Sequence, residues 1–144
     1  MTTALVSAQA VASLGMVGVL WVMQLVHYPL MTFVADDDFV DYEDQHRRRI
    51  GFIVVPAMAV EAVTAVGLLV VRPDAVPLGL LVAGVLVLLV VLGTTAFVSA
   101  PLHVRLSAGK DPAAIDRLVA TNWVRTVGWS GRGAIALATV VLAT

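Results

Sequence analysis

Glu43 and His46 stand three residues apart, which places a carboxylate and an imidazole on the same face of a helix. A Glu-x-x-His pair is a metal-ligand arrangement in di-iron four-helix bundles, although those bundles carry two copies and two further glutamates. This chain has one copy and two other histidines, His27 and His103. Three imidazoles and one carboxylate suit a divalent zinc, copper or iron ion. We therefore predict that His27, Glu43, His46 and His103 form one cluster that binds a metal or shares acid–base work.

Glu61 is a second candidate for chemistry, because it lies in the middle of a segment, 50–71, that is otherwise uncharged. An ionisable group at that depth in a membrane is a functional-site hypothesis by default. Arg132 lies at a similar depth in the segment 123–143, so we predict that it faces Glu61. The two residues are expected to be catalytic and to form the inner end of a pocket whose mouth carries the histidines. A metal shared with Glu43 is excluded, since 18 residues of continuous helix span about 27 Å.

Structural explanations compete with both sites. His27 and His103 can be polar residues at a membrane interface, and Glu43 and His46 can belong to a solvated helix face. Glu61 and Arg132 can form an ion pair that only fixes helix packing, as buried pairs do in some systems. The sequence alone leaves these alternatives open.

A polar stripe supports an inward-facing site in the last apolar segment. Its members recur at intervals of three, four and three residues, which is one helical face: Asn122, Arg125, Trp129 and Arg132. Asn122 and Arg125 are expected to orient a polar group of a substrate. The third segment adds Thr95, Ser99 and His103 at intervals of four, and the first adds Gln24.

Pro29 interrupts the polar end of the first segment. Proline cannot donate a backbone hydrogen bond, so the helix is predicted to kink or end there, which frees the carbonyl of Leu25. His27 is then expected to project into a cavity. Tyr28 is about 100° further round the helix and is predicted to anchor at the membrane interface instead.

The elements that must position these residues are predicted from the distribution of apolar residues. The chain has 144 residues, of which 60% are hydrophobic and 13% charged, about half the charged fraction of a soluble domain. The apolar residues form four blocks long enough to cross a bilayer, at about 5–27, 50–71, 78–103 and 123–143. We predict an all-α integral membrane protein: a single domain, 1–144, folded as an antiparallel four-helix transmembrane bundle with an amphipathic extension before span two.

The two longer connections are predicted to be partly helical. In 36–49, Asp36 to Asp38 resemble N-cap and first-turn acids, and Arg47 to Arg49 lie at the opposite end, so the segment should lead into span two. In 105–123, a turn at Gly109–Pro112 should precede a short amphipathic helix. That helix presents three apolar residues on one side: Ile115, Leu118 and Val119.

The basic residues predict the orientation in a bacterial-type plasma membrane. Arg72 is alone on one side of the four spans, whereas seven basic residues flank the other side: Arg47, Arg48, Arg49, Arg105, Lys110, Arg117 and Arg125. The positive-inside rule therefore places both large loops in the cytoplasm and both termini outside. All three histidines then lie at the cytoplasmic end.

Two stretches carry a family resemblance. WVMQLVHYPLMTFV (21–34) and NWVRTVGWSGR (122–132) resemble small four-span bacterial membrane proteins of unknown function, which are loosely similar to the anthrone-oxygenase-like group. The similarity lies in Trp21 and Gln24 of the first stretch and in Asn122, Arg125 and Thr126 of the second. The resemblance implies a membrane protein that oxidises or rearranges a lipophilic molecule, and it includes neither Glu43 nor the histidines.

Together these features predict a membrane enzyme with a pocket open to the cytoplasmic leaflet. Its chemistry would be metal-dependent oxidation or acid–base rearrangement of a lipophilic small molecule, in the manner of an oxidoreductase or an isomerase or cyclase. A proton-coupled carrier that uses Glu61 and a non-catalytic scaffold are the alternatives. Membrane lipid and the lipophilic molecule are the expected partners, and the chain is compatible with a homo-oligomer. Near-zero net charge argues against nucleic acid, and the absence of cysteine excludes disulfides and thiolate chemistry.

Overall fold

The computed structural model describes residues 2–143 and shows an all-helical chain with four long helical stretches. They are α1 (Thr2–Phe33), α2 (Asp36–Val70), α3 (Leu78–Leu106) and α4 (Pro112–Ala143). All four are long and apolar enough to cross a membrane, which confirms the coarse fold prediction. Each helix also extends beyond the predicted apolar span at the end that carries the histidines or the polar stripe.

α1 and α3 share a local irregularity that explains how they tolerate proline. The α-helix Thr2–Val22 is followed by a π-helical turn, Met23–His27, and the α-helix Leu78–Thr94 by a second one, Thr95–Ser99. Each π turn ends two residues before a proline, Pro29 in α1 and Pro101 in α3. Because proline has no N–H to donate, the wider turn gives the preceding carbonyls other partners. The predicted break at Pro29 is therefore a π turn, and the helix continues to Leu30 before a 3-10 turn, Met31–Phe33.

α2 confirms the predicted extension before span two. After a 3-10 turn at Asp36–Asp38, one α-helix of 32 residues runs from Phe39 to Val70 without a break at Pro56. The three aspartates lie in this first turn, as predicted, and Asp38 occupies the N-cap position of the α-helix, although its side chain makes no capping bond. Asp36 instead pairs with Lys110, whose ammonium lies 3.0 Å away and which also donates to the carbonyl of Val34.

α4 begins at a well-defined cap. Asp111 Oδ1 accepts a 3.1 Å hydrogen bond from the N–H of Ala114, and Pro112 takes the first helical position. This bond, with the nearby Arg105 guanidinium, lowers the pKa of the Asp111 carboxyl. Gly109, at φ 151°, provides the predicted turn. The prediction of a separate amphipathic helix is wrong, because one α-helix runs unbroken from Pro112 to Ala143. Ile115 and Leu118 are buried along its first turns.

The helices pack around three apolar layers. The layer at the histidine end includes Tyr28, Phe39, Leu106 and Leu118. The middle layer consists of Met16, Leu20, Ala65, Leu88, Val91 and Trp129. The far layer consists of Val6, Leu68, Val76 and Leu81. The outer surface is apolar as well, and Phe33, Phe52 and Phe97 are each at least 77% exposed. Such a surface suits contact with lipid chains, whereas water would penalise it.

Candidate active site

The three histidines and Glu43 lie together at one end of the helices, as the sequence predicted. The ring centroids of His27 and His46 are 4.2 Å apart, and those of His46 and His103 are 5.3 Å apart. Glu43 is completely buried, and its Oε1 lies 2.7 Å from Nδ1 of His103. Three helices contribute: α1 brings His27, α2 brings Glu43 and His46 one turn apart, and α3 brings His103.

Glu43, His103 and Tyr28 form a hydrogen-bonded chain. The carboxylate accepts from Nδ1–H of His103, which leaves Nε2 of the neutral ring as an acceptor. The hydroxyl of Tyr28 lies 3.3 Å from that Nε2 and donates to it. A buried carboxylate behind an imidazole stabilises the imidazolium that forms when Nε2 takes a proton. The chain is therefore a general-base arrangement whose acceptor is Nε2 of His103.

Tyr28 is the main site residue that sequence reasoning placed wrongly. It was predicted to anchor at the membrane interface, yet it is only 2% exposed and is hydrogen-bonded to His103. The reason is the π turn Met23–His27, which inserts an extra residue and rotates the following side chains relative to a regular helix. Pro29 was the sequence signal for this inward position, because a proline predicts that the helix is irregular at this turn.

His27 faces a different side of the cluster from the hydrogen-bonded chain. Its ring stacks on His46, and the Tyr42 hydroxyl lies 3.4 Å from its Nδ1. Across residues 2–143, no three imidazole or carboxylate groups have donor atoms arranged to hold a metal ion. Both ring nitrogens of His103 are also hydrogen-bonded, to Glu43 and Tyr28. Convergence of the four residues is thus confirmed, whereas a zinc, copper or iron ion stays a prediction.

Arg125 is held beside this cluster by an amide network. Its Nη1 donates a 2.9 Å bond to Oδ1 of Asn122, and Nδ2 of Asn122 donates a 3.0 Å bond to Oε1 of Gln24. Gln24 in turn donates to the carbonyl of Val119, and Thr126 receives a second bond from Asn122. Asn122 is fully buried and Arg125 is 6% exposed. Four polar residues of the two quoted stretches, 21–34 and 122–132, therefore meet in one network that fixes the guanidinium.

A cavity of about 220 Å³ opens next to the histidines and Arg125. Its polar wall consists of seven residues: Tyr28, His46, Arg47, Thr95, Ser99, His103 and Arg125. Two buried donors in this wall have no hydrogen-bond partner, Nε of Arg125 and Oγ of Ser99. The rest of the wall is mainly apolar, with Val19, Leu20, Met23, Ile50, Val54 and Val104. A small apolar cavity with a few convergent polar groups is the usual form of a small-molecule site.

Glu61 and Arg132 face each other inside the helices, as predicted, but away from this cavity. Nε of Arg132 lies 2.7 Å from Oε2 of Glu61, and both side chains are buried. Ser13 donates to the other oxygen of Glu61, a partner that the sequence did not reveal. Gly84 leaves room for the guanidinium, since a Cβ there would collide with it.

The predicted continuity between the two sites is not found. Neither Glu61 nor Arg132 is among the residues that line the cavity. Along α1, Met16 and Leu20 separate Ser13 from the histidine end, and along α4 Trp129 separates Arg132 from Arg125. The middle apolar layer thus divides the polar interior into a cavity site and a sealed ion pair.

Comparison with known protein families, curated proteins and solved structures finds no match to this chain. Fold and side-chain geometry therefore define the class: the four candidate membrane-spanning helices indicate a multi-pass membrane protein. The cavity at one end of these helices is its candidate active site.

Proposed function

We propose that this chain is an integral membrane enzyme that moves a proton within a lipophilic small molecule bound in the cavity. The reaction class is acid–base rearrangement, as in an isomerase or cyclase. One observation carries the proposal: the Glu43–His103–Tyr28 chain reaches the same small cavity that the Arg125 guanidinium lines. A base and a cation facing one apolar space are what proton removal next to a carbonyl requires.

Each group then has a defined role. Nε2 of His103 accepts a proton from a carbon next to the substrate carbonyl, while Glu43 holds the ring and stabilises its charged form. The electron pair of the broken C–H bond moves into the carbonyl, and the guanidinium of Arg125 stabilises the resulting oxyanion. Tyr28, hydrogen-bonded to Nε2 at rest, turns its hydroxyl toward the substrate. The proton returns to a different atom, so the rearrangement consumes no co-reactant.

The membrane supplies the setting for this chemistry. With the helices antiparallel and the orientation given by the basic residues, both termini face outward and the cavity lies at the cytoplasmic leaflet. A lipophilic substrate reaches the cavity by partitioning into that leaflet. Asn122 and Gln24 act through Arg125, because they touch the guanidinium network and do not line the cavity.

Metal-dependent oxidation is the second candidate, and one observation favours it. Oε2 of Glu43 is buried without a hydrogen-bond partner in the same cluster as His27 and His46. A divalent ion bound by this oxygen and turned imidazoles would use groups that the acid–base scheme leaves idle. Metal analysis of the purified protein separates the two: stoichiometric metal that is lost in His27→Ala favours oxidation. Activity that survives chelation favours proton transfer.

Hydrogen–deuterium exchange tests the proton-transfer proposal without knowledge of the natural substrate. The wild-type protein in lipid nanodiscs and heavy water should accelerate deuterium uptake next to the carbonyl of a long-chain methyl ketone or a bicyclic aryl ketone. His103→Ala should lose the enzymatic rate by about 10²–10⁴-fold, the usual contribution of a positioned base. Glu43→Gln should lose less, since an amide oxygen can still accept from Nδ1–H.

The control is Ser130→Ala, which removes a hydroxyl bonded to its own helix and to Trp21, outside the cavity wall. Mass spectrometry of the recovered ketone gives the rate. A wild-type rate equal to that of empty nanodiscs with both ketones, or equal rates for wild type and His103→Ala, would contradict the proposal.

A further inference from the structure

We infer that the substrate is an amphiphile with a single anionic oxygen head, bound by Arg125 and Ser99, and an apolar tail that leaves the cavity sideways between α2 and α3. The inference deepens the proposed function and rests on the same cavity. The lateral opening is called the portal and is defined by five residues: Arg47, Gly51 and Val54 of α2, and Ala100 and Val104 of α3.

The head site is built from donors that the protein itself leaves unpaired. Arg125 and Ser99 are 6% and 2% exposed, and Nε of the first and Oγ of the second have no partner. Leaving a buried donor unpaired costs the free energy of its desolvation, so a ligand that pairs both donors recovers that free energy on binding. Both residues line the cavity, whereas the amide network already satisfies Nη1 of Arg125. The free donors point to an acceptor on the ligand.

The charge of the wall selects an anion. The residues that line the cavity include two arginines, Arg47 and Arg125, and no aspartate or glutamate, since Glu43 lies behind His103. Arginine binds carboxylates and other oxyanions through short, charge-assisted bonds. A carboxylate and an enolate or phenolate share this chemistry, and both are compatible with the donors.

The size of the cavity indicates that only part of the ligand fits inside. Its volume of about 220 Å³ is smaller than the roughly 300–1,000 Å³ of sites that enclose a drug-sized ligand. The lining residues that are most exposed, Arg47, Ala100 and Val104, lie on α2 and α3. The cavity therefore opens between these two helices.

Gly51 lines the portal and has space beside it. No atom lies within 4 Å of the position that a Cβ would take at this residue, so a side chain there would project into free space. Arg47 lies one helical turn away and donates a 2.6 Å bond to Oγ of Ser107, which joins α2 to α3 at the polar end of the portal. An apolar tail can thus leave past Gly51 and Val104 while the head stays at Arg125.

Ligand binding tests the head site independently of turnover. The probes are decanoate, a naphthoate, a naphthol and decanol, titrated calorimetrically into the protein in nanodiscs, with protein-free nanodiscs subtracted. At least one acidic probe should bind the wild type. Arg125→Gln should lower the affinity for that probe by about 10–100-fold, which is the contribution of one charge-assisted hydrogen bond. Decanol should bind wild type and Arg125→Gln alike. Equal affinity of both proteins for the acidic probes would overturn the head site.

A pair of glycine variants tests the portal. Gly51→Leu fills the opening, and Gly93→Leu adds the same side chain at another helical glycine with no atom within 4 Å of a Cβ. Both replace glycine by a better helix former, so neither should unfold the protein. Gly51→Leu should lower the affinity for decanoate by about tenfold or more and leave the affinity for benzoate unchanged. Gly93→Leu should change neither affinity. Decanoate that binds Gly51→Leu as it binds the wild type would overturn the portal.

The outcomes separate this inference from the proposed reaction. If binding of the acidic probes depends on Arg125 and Gly51 but no ketone exchanges deuterium, the result supports an amphiphilic ligand and rejects proton transfer. Exchange that needs His103 and Arg125, with decanoate binding Gly51→Leu and Arg125→Gln as tightly as it binds the wild type, supports proton transfer and rejects the amphiphilic substrate. Preference for a naphthoate over the naphthol, which share one ring system, identifies the head as a carboxylate, and the reverse identifies it as an enolate or phenolate.

Discussion

Glu43 and Glu61 are both fully buried carboxylates on α2, about five helical turns apart, yet their surroundings differ. Glu61 has both oxygens occupied, one by Arg132 and one by Ser13, and apolar layers enclose it. Glu43 has one oxygen on His103 and one without a partner, and His103 borders a cavity. The partner therefore decides the role: a fixed guanidinium neutralises a carboxylate permanently, whereas an imidazole can gain and lose a proton.

The Glu61–Arg132 pair and the Glu43–His103 cluster are therefore expected to have different roles. The sealed pair joins α2 to α1 and α4, and neither Glu61 nor Arg132 lines the cavity beside the histidines. The proton-coupled carrier that would use Glu61 stays a prediction. The open cluster has an acceptor, a cation and space for a ligand. We therefore expect substitutions at Glu61 to change stability and substitutions at Glu43 to change activity.

The largest effect is expected when the sealed pair is broken. Glu61→Gln or Arg132→Gln leaves a charge buried without a counter-charge, and each should lower the free energy of unfolding by about 3–5 kcal/mol. The double variant should be more stable than either single one, because it removes both charges. Thermal unfolding in detergent measures this. Additive losses in the double variant, or a loss in Glu43→Gln as large as in Glu61→Gln, would remove the distinction between the two sites.

A smaller effect is expected from deleting one hydroxyl at each site. Ser13→Ala leaves Oε1 of the fully buried Glu61 unpaired, and should lower the free energy of unfolding by about 1–3 kcal/mol. Tyr28→Phe exposes Nε2 of His103 to a cavity that water can enter, so it should lower the free energy of unfolding by about 0.5–1.5 kcal/mol. The same change should slow deuterium exchange. Thermal unfolding of both variants gives the comparison. A greater loss of stability in Tyr28→Phe would show that its site is the more enclosed one.

The smallest effect is expected outside the helices' apolar segments, at Asp111. Its pKa is lowered in the folded protein, first by the N–H of Ala114 and then by Arg105. A lowered folded pKa gives stability that is present above the ordinary aspartate pKa and is lost as the pH falls through the folded value. Asp111→Asn should therefore be less stable than wild type at neutral pH, and the difference should vanish in strong acid.

Unfolding temperatures of the two proteins at neutral and acidic pH test this expectation. Asp37→Asn, at an exposed position of the 3-10 turn before α2, is the matched control. A difference between wild type and Asp111→Asn that grows as the pH falls would show that the cap contributes through something other than its charge.

The sequence by itself determined the helices and the depth of their polar residues. Apolar blocks long enough to cross a bilayer predict four helices, because a backbone in lipid must satisfy its own hydrogen bonds. Helical periodicity placed Asn122, Arg125 and Arg132 on one buried face, and similar depth paired Arg132 with Glu61. The histidines were predicted to meet because the loops bring the same ends of the spans together.

Only the tertiary structure decided which neighbours meet and where space remains. Periodicity gives a direction within one helix but not the identity of the helix opposite, so the contacts of Ser13 with Glu61 and of Gln24 with Asn122 were not foreseen. It also assumes a regular helix, and the π turn at Met23–His27 turned Tyr28 inward against that assumption. The cavity depends on packing across three helices. For that reason residue types alone predicted a cluster for a metal or for acid–base work, whereas only the tertiary structure places Glu43, His103 and Tyr28 in one hydrogen-bonded chain beside the cavity that Arg125 lines.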